Sequence, residues 1–195
     1  VFVVPMPASQ AATDQDKYAA LIGALGRPDN RAAMERLLTD AQALAYRFSL
    51  HMCGHPEDAE DAMQEALLQT YRHAQRIRQP KGFRTWLYRT VKNACLMSRR
   101  TKSQQMTRMA SLDAEGASEV PTTDLNPEEQ TAAAAERRRF QAAFQQLPRP
   151  YRLVALLRDV EGLSTRETAE VVGITQANVK QRLHRARQML KEALA

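Results

Sequence analysis

The segment that most constrains the fold is GLSTRETAEVVGITQANVKQRLHRAR, at residues 162–187. Ser164 followed three residues later by Glu167 is the pattern of a capping box, in which each side chain accepts a hydrogen bond from a free backbone N–H of the other residue. Gly173 supplies the backbone freedom that a tight turn requires, and Thr175 can cap the helix that follows. The segment therefore predicts two short helices joined by a turn at Gly173.

The second of these helices has two chemically distinct faces. Apolar residues recur at helical spacing on one face, and they are Val179, Leu183, Ala186 and Leu190. Polar side chains that could contact base edges occupy the remaining surface, and they are Gln176, Asn178, Lys180, Gln181 and His184. Four arginines are candidates for holding phosphates without reading sequence, and they are Arg158, Arg166, Arg182 and Arg185. Amides and cations of this kind suit a helix in the major groove, so the segment predicts a DNA-binding helix-turn-helix rather than an ordinary basic amphipathic helix.

Charge is segregated along the chain. The net charge of +6 favours an anionic partner, without distinguishing nucleic acid from a membrane surface. Residues 66–112 contain no Asp or Glu and many Lys and Arg, whereas residues 51–71 contain five acidic residues and no Lys or Arg. This segregation predicts at least two partner surfaces of opposite sign.

Helical periodicity dominates the sequence, and no useful stretch alternates with the period of a strand, so we expect an all-α fold of two small helical domains. The predicted divisions are a disordered N-terminal extension, a first domain, a flexible acidic linker and a second domain, at residues 1–15, 16–102, 103–130 and 131–195. The linker is predicted from composition, because it is acidic and contains Gly and Pro. The helix that begins at Pro56 is predicted to bury Ala59, Ala62, Met63, Ala66, Leu67 and Tyr71.

The chain contains two cysteines, too few for a disulfide framework, so free thiols in a reducing cytoplasm are expected. Cys53 lies between His51 and His55, and these residues together with Cys95 could form a metal or thiol sensor. The alternative is a free cysteine at a helix end beside two incidental histidines. Alternate positions reach one metal only in extended backbone, so we expect no metal site and no cofactor.

No apolar run approaches the roughly 18 residues that cross a bilayer, so no membrane insertion is expected. The opening VFVVPMP has no basic segment and is too short for a signal peptide. The sequence therefore predicts a soluble cytoplasmic protein.

Three blocks, in order, resemble the bacterial extracytoplasmic-function (ECF) sigma factors, which retain regions two and four of larger sigma factors. PEDAEDAMQEALLQTYR, at 56–72, resembles region 2.2, and FRTWLYRTVKNACLMSRR, at 83–100, resembles regions 2.3 and 2.4. Residues 147–190 resemble region four. The resemblance implies three partners: core RNA polymerase (the clamp of the largest subunit and the flap of the second largest), promoter DNA, and an anti-sigma factor. It implies no catalytic residues, because phosphodiester chemistry belongs to the core enzyme.

The resemblance also implies roles for particular residues. The clamp-binding candidates are Asp58, Asp61, Gln64 and Glu65. The candidates for the −10 element, where residues 79–82 and the following helix capture a flipped base, are Tyr88, Arg89, Lys92, Asn93, Arg99 and Arg100. Met97 stands where many members of the family carry a polar residue. The helix-turn-helix is assigned to the −35 element, and the linker to polymerase channels otherwise occupied by nucleic acid.

Two other functions compete with that of a promoter-specificity subunit. A stand-alone helix-turn-helix regulator would need neither the acidic block nor the aromatic and basic block of the first domain. A sigma mimic that sequesters an anti-sigma protein would need no groove-reading residues. An enzyme is disfavoured most, because no nucleotide-binding glycine loop or convincing metal set is visible.

Overall fold

The computed structural model describes residues 8–26, 30–53, 55–77, 79–109 and 132–194. Regular structure in these residues is helical throughout, which confirms the all-α prediction. The chain divides into two compact units, one formed by Gln15–Thr122 and the other by Thr123–Ala195 with Val1–Asp14.

The first unit contains a three-helix bundle with an aromatic core. The bundle helices are α2 (Arg31–Cys53), α3 (Pro56–His73) and α4 (Phe83–Met109), preceded by α1 (Ala8–Ala24), and 3-10 turns at Ala74–Arg76 and Pro80–Gly82 lead from α3 into α4. Helices α2, α3 and α4 pack on one another. The ring of Phe48 lies 4.8 Å from that of Tyr88, and Tyr18 of α1 lies 5.1 Å from Phe83. These aromatic side chains bury large apolar areas, so they fix which side of each helix faces solvent.

Two helices extend beyond the predicted domain boundaries. Helix α1 begins at Ala8, so residues 8–15 are helical rather than disordered, because the alanines of ASQAATDQ are strong helix formers. Helix α4 continues to Met109, seven residues past the predicted boundary at 102, since no Pro or Gly interrupts it. Residues 1–7 and most of the predicted linker, 110–131, lie outside the described residues.

The buried face of α3 is narrower than predicted. Ala59, Ala62, Met63 and Ala66 are buried, but the predicted core residue Tyr71 is 61% exposed. Five helical steps of about 100° place Tyr71 roughly 140° around the helix from Ala66, so its side chain leaves the bundle.

The prediction of two free thiols is wrong. Cys53, the last residue of α2, forms a disulfide with Cys95 of α4, and their Cα atoms are 5.5 Å apart. This separation lies within the range that a disulfide bridges. Local spacing could not indicate this pairing, because the two cysteines are 42 residues apart and meet only through the packing of α2 on α4.

The second unit contains the helix-turn-helix. Its elements are α5 (Ala132–Gln146), α6 (Arg149–Ala155), a π-helical turn (Leu156–Val160), α7 (Thr165–Val172) and α8 (Gln176–Leu194). The capping box is confirmed, because Glu167 N–H donates to Ser164 Oγ at 3.2 Å and Ser164 N–H donates to Glu167 Oε2 at 2.8 Å. Gly173 adopts the left-handed conformation, with φ of 80°. Asn178 N–H donates to Thr175 Oγ1 at 3.2 Å, as predicted for the cap of the second helix.

An ion pair ties α8 to the π-helical turn. Arg187 of α8 donates from Nε to Asp159 Oδ2 at 3.0 Å and from Nη2 to Asp159 Oδ1 at 2.6 Å. The hydrogen bond with Asp159 raises the pKa of Arg187, as expected when the charged form is stabilised. A bidentate pair fixes orientation as well as distance, so it sets the angle at which α8 leaves the rest of the unit.

We expect Gly173→Ala to destabilise the second unit by about 1–2 kcal/mol, because an L-residue is strained in the left-handed conformation. The control is Gly23→Ala in α1. A Cβ added at either glycine meets no heavy atom within 4 Å, and of these two glycines only Gly173 has a positive φ. Gly23→Ala should be neutral or stabilising. Thermal unfolding of the full chain measures both changes, and equal effects would contradict the assigned role of the turn.

We expect Asp159→Asn to destabilise the second unit by ~0.5–1 kcal/mol, the scale of a partly exposed pair with good geometry. Arg187→Lys should cost a similar amount although it keeps the charge, because an ammonium cannot reproduce the two-pronged contact. Glu192→Gln, which removes an exposed charge from α8, is the control. Thermal unfolding measures these changes. If Arg187→Lys unfolded at the same temperature as the parent protein, the ion pair would not act through its two-pronged geometry.

Candidate nucleic-acid interface

The surface of α8 matches the predicted base-reading helix. Its buried face consists of Val179, Leu183, Ala186 and Leu190, as the periodicity predicted. All five predicted base-edge residues are exposed on the rest of the helix, and they are Gln176, Asn178, Lys180, Gln181 and His184. The capped turn therefore holds the helix by its apolar face and leaves amides and cations available to a groove.

The four predicted phosphate-binding arginines differ in exposure and in the contacts that they make. Arg166 and Arg185 are exposed and Arg182 is half-buried. Arg158 is half-buried, and its Nη1 donates to the backbone carbonyl of Leu163. This contact engages one end of the guanidinium, and the role of Arg158 as a phosphate clamp stays a prediction. The π-helical turn and the positive φ of Gly162, 69°, fold the loop back so that this carbonyl faces the guanidinium.

On α4, one exposed face carries three of the predicted −10 residues. Arg89, Asn93 and Arg100 are exposed, and their spacing of four and seven residues places them on one side of the helix. Lys92 is half-buried beside them. Burial and, to a lesser degree, the charge of Arg89 lower the pKa of Lys92, and a nearby phosphate would act in the opposite direction. The side chain of Arg99 lies outside the described residues.

The prediction that Tyr88 is exposed is wrong. Its side chain is fully buried against Phe48, with the ring centroids 4.8 Å apart. Its hydroxyl accepts a hydrogen bond from Arg84 Nη2 at 3.4 Å. The apolar face of α4 is wider than the periodicity of its aliphatic residues indicated, because Tyr88 contributes its ring to the core and satisfies its hydroxyl there.

Two exposed apolar residues accompany the polar face of α4. Met97 is 68% exposed and Leu96 is 40% exposed. Met97 lies four residues after Asn93, so the two side chains are neighbours on the helix surface. The interface therefore combines cations, an amide and a flexible thioether, which can pack against base faces or thymine methyl groups.

The acidic face of α3 retains three of its four predicted residues. Asp61, Gln64 and Glu65 are exposed, and Gln69 Nε2 donates to Glu65 Oε1 at 2.7 Å. Asp58 is buried instead and accepts a hydrogen bond from Ser98 Oγ of α4 at 3.5 Å. The prediction that Asp58 faces solvent is wrong, because the first turn of α3 packs against α4.

Sequence reasoning missed two residues of the α3 surface. Leu68 is 42% exposed and Tyr71 is 61% exposed. They follow Gln64 at spacings of four and seven residues, which places all three on one face. Exposed apolar and aromatic side chains bordered by carboxylates have the composition of a protein–protein interface. The helical spacing from Gln64 was a signal that could have identified them.

Among the residues that the structure describes, no group of three or more His, Cys, Asp or Glu could hold a metal ion. Within the same residues, no helix is long and apolar enough to cross a membrane.

Comparison with known proteins covers both units. Residues 34–105 match the family Sigma-70 region 2, and residues 137–190 match Sigma-70, region 4. The chain is 32% identical over 183 residues to the ECF RNA polymerase sigma factor SigE of Mycolicibacterium smegmatis, covering 94% of this chain and 70% of that protein. It is 30% identical over 157 residues to SigW of Bacillus subtilis, covering 76% of this chain and 82% of the relative.

Solved structures share the fold. The sigma factor RpoE in complex with the anti-sigma factor NepR from Bartonella quintana matches with a TM-score of 0.62 and 19% identity, covering 82% of this chain and 95% of that one. CnrH in complex with the cytosolic domain of CnrY matches with a TM-score of 0.55 and 20% identity, covering 96% and 94%. The two matched regions, in this order, and the similarity along almost the whole chain place the protein in the family of ECF RNA polymerase sigma factors.

Proposed function

We propose that the two units carry out separate recognition steps of transcription initiation. Family membership gives the function in outline, since a sigma factor binds core RNA polymerase and directs it to promoters. In our proposal, residues 16–102 bind the polymerase and the −10 element, residues 131–195 bind the −35 element, and residues 103–130 link them. The observation that carries the proposal is the exposed polar face of α8, which lies opposite a buried apolar stripe.

In the second unit, the N-terminal half of α8 would enter the major groove at the −35 element. Gln176, Asn178, Lys180, Gln181 and His184 are the proposed base-edge contacts, and their exposure supports this role. Arg166, Arg182 and Arg185 would hold phosphates and fix the register of the helix without specifying sequence. The prediction for Arg158 stands beside them, and its side chain also supports the loop before α7.

In the first unit, the exposed face of α4 would hold the opened −10 strand. Arg89, Lys92, Asn93 and Arg100 are the proposed contacts, and the prediction for Arg99 stands beside them. Removing a base from the duplex costs a few kcal/mol, which contacts to that base and to neighbouring phosphates must offset. Met97 would supply apolar packing where many relatives have a polar group.

The exposed face of α3 is the proposed contact with the clamp of the largest polymerase subunit. Asp61, Gln64 and Glu65 would set orientation and encounter rate through their charge and polarity. Leu68 and Tyr71 would supply the apolar part of the contact. The flap of the second-largest subunit is the expected partner of the second unit.

Three further features complete the proposal. In the two matched structures, RpoE is in complex with the anti-sigma factor NepR, and CnrH is in complex with the cytosolic domain of CnrY. We infer that an anti-sigma factor also controls this chain. The sigma factor itself would act in the cytoplasm, where RNA polymerase works, and would have no catalytic activity of its own.

In vitro transcription tests the proposal. Purified protein is added to sigma-free bacterial core polymerase on a pool of genomic fragments. Discrete transcripts whose upstream regions share two motifs are the expected result. Core-independent DNA binding without initiation would favour a stand-alone regulator, and loss of both activities in a preparation free of bound inhibitor would favour a sigma mimic.

We expect Gln181→Ala and Arg185→Ala to weaken promoter binding in different ways. Loss of a bidentate contact by Gln181 should cost ~1–3 kcal/mol, and only on promoters with the preferred −35 base. Loss of Arg185 should weaken binding to all −35 variants and reduce the slope of log K against log salt by about one. Holoenzyme binding to a panel of −35 variants at several salt concentrations measures both effects. The same base-independent loss for both substitutions would contradict the division of roles.

We expect the double substitution Asp61→Asn, Glu65→Gln to weaken binding of core polymerase several-fold, most strongly at low salt, because these carboxylates are proposed to face the clamp. The matched control is Glu57→Gln, Glu60→Gln, which removes the same charge from exposed positions of α3. Fluorescence titration of core polymerase at two salt concentrations compares them. Equal losses would show that only net charge matters.

A further inference from the structure

The two cysteines of the chain are bonded to each other, although they are 42 residues apart in the sequence. They are the only cysteines among the 195 residues, and they form a disulfide between the end of α2 and α4. Cys95 is completely buried, whereas Cys53 retains 8% of its accessible surface. An attacking thiol or oxidant can therefore approach the pair more readily from the side of Cys53.

The disulfide lies at the point where α4 leaves the core of the first unit. Up to Val91, α4 is held by buried apolar and aromatic side chains. Beyond it, Cys95 is the last buried side chain among the described residues of the helix. The hydrogen bond from Ser98 to Asp58 also holds this part of α4 to α3. Asn93, Met97 and Arg100 are exposed around this anchor.

We propose that Cys53 and Cys95 form a reversible dithiol–disulfide pair, with Cys53 as the reacting thiol, and that the oxidised pair holds the DNA-facing part of α4 in place. The inference rests on the proposed function, because a protein that acts on RNA polymerase works in the cytoplasm. Disulfides are rare there, and those that occur are usually transient, catalytic or redox-sensing. A lasting structural crosslink would not be expected in that compartment.

The proposed oxidant is a peroxide, and the reaction balances. The Cys53 thiolate attacks one peroxide oxygen, the O–O bond breaks, and the other oxygen leaves with a proton as an alcohol or water. The Cys95 sulfur then attacks the Cys53 sulfenic acid, forming the S–S bond and releasing water. Two thiols lose two electrons and the peroxide gains them. A reducing dithiol reverses the change by attacking Cys53, which forms a mixed disulfide that its second thiol resolves.

The first test uses the full chain without polymerase. The protein is equilibrated in mixtures of reduced and oxidised glutathione, and free thiols are counted by alkylation and mass spectrometry. We expect reversible conversion between two free thiols and none. Thiols that persist in excess oxidised glutathione, or a disulfide that excess dithiothreitol does not reduce in the folded protein, would overturn the proposal.

Matched single substitutions test which cysteine reacts. With hydrogen peroxide and dimedone, Cys95→Ser should be labelled at Cys53, and Cys53→Ser should be labelled much more slowly at Cys95. Equal labelling would overturn the assignment of Cys53. Circular dichroism shows whether each variant folds, and the glutathione titration of the unaltered chain keeps the proposal testable if one does not.

The consequence for α4 is measured by promoter opening. We expect oxidised holoenzyme to open a promoter several-fold more effectively than reduced holoenzyme, because a pre-ordered helix loses less freedom on binding. A Cys53→Ser, Cys95→Ser variant should behave like the reduced form in both buffers. Equal opening in both states would overturn the proposed role of the disulfide. A redox-inert pair in a protein that still directs transcription would overturn this inference alone, and a redox-active pair without promoter-specific transcription would overturn the proposed function.

Discussion

The packing of α2, α3 and α4 around Phe48, Phe83 and Tyr88 determines which side chains of the first unit can meet a partner. With these rings in the interior, α3 presents most of its carboxylates to solvent, and α4 presents Arg89, Asn93 and Arg100. The segregation of charge along the sequence thereby becomes a segregation on the surface. One bundle can then offer an acidic helix to a protein and a basic helix to DNA.

In the second unit, α8 is held by a narrow buried face, which consists of four apolar residues. The capping box at Ser164 and the left-handed Gly173 fix the ends of α7. The Asp159–Arg187 ion pair then joins α8 to the π-helical turn. A base-reading helix needs such support, because bidentate contacts to bases depend on both distance and angle.

Features that depend on neighbours in sequence were predictable. The capping box, the turn at Gly173 and the apolar stripe of α8 follow from local spacing, and all three are confirmed. Features that depend on contacts between helices were not. Tyr88 and Asp58 were expected to be exposed, but packing between helices buries Tyr88 against α2 and Asp58 against α4. The partners of Cys53 and Arg187 lie far away in sequence, so periodicity carried no information about them.

In the proposed function, the exposed face of α4 and the helix-turn-helix act together to open a promoter with core polymerase. Permanganate reactivity of thymines around the −10 element reports this opening, because permanganate oxidises unstacked thymines in preference to stacked ones. We expect reactive thymines only when both the protein and core polymerase are present, and weaker reactivity when Asn93 and Arg100 are replaced by Ala. A promoter that the protein and core polymerase bind together but leave fully paired would contradict the proposed function.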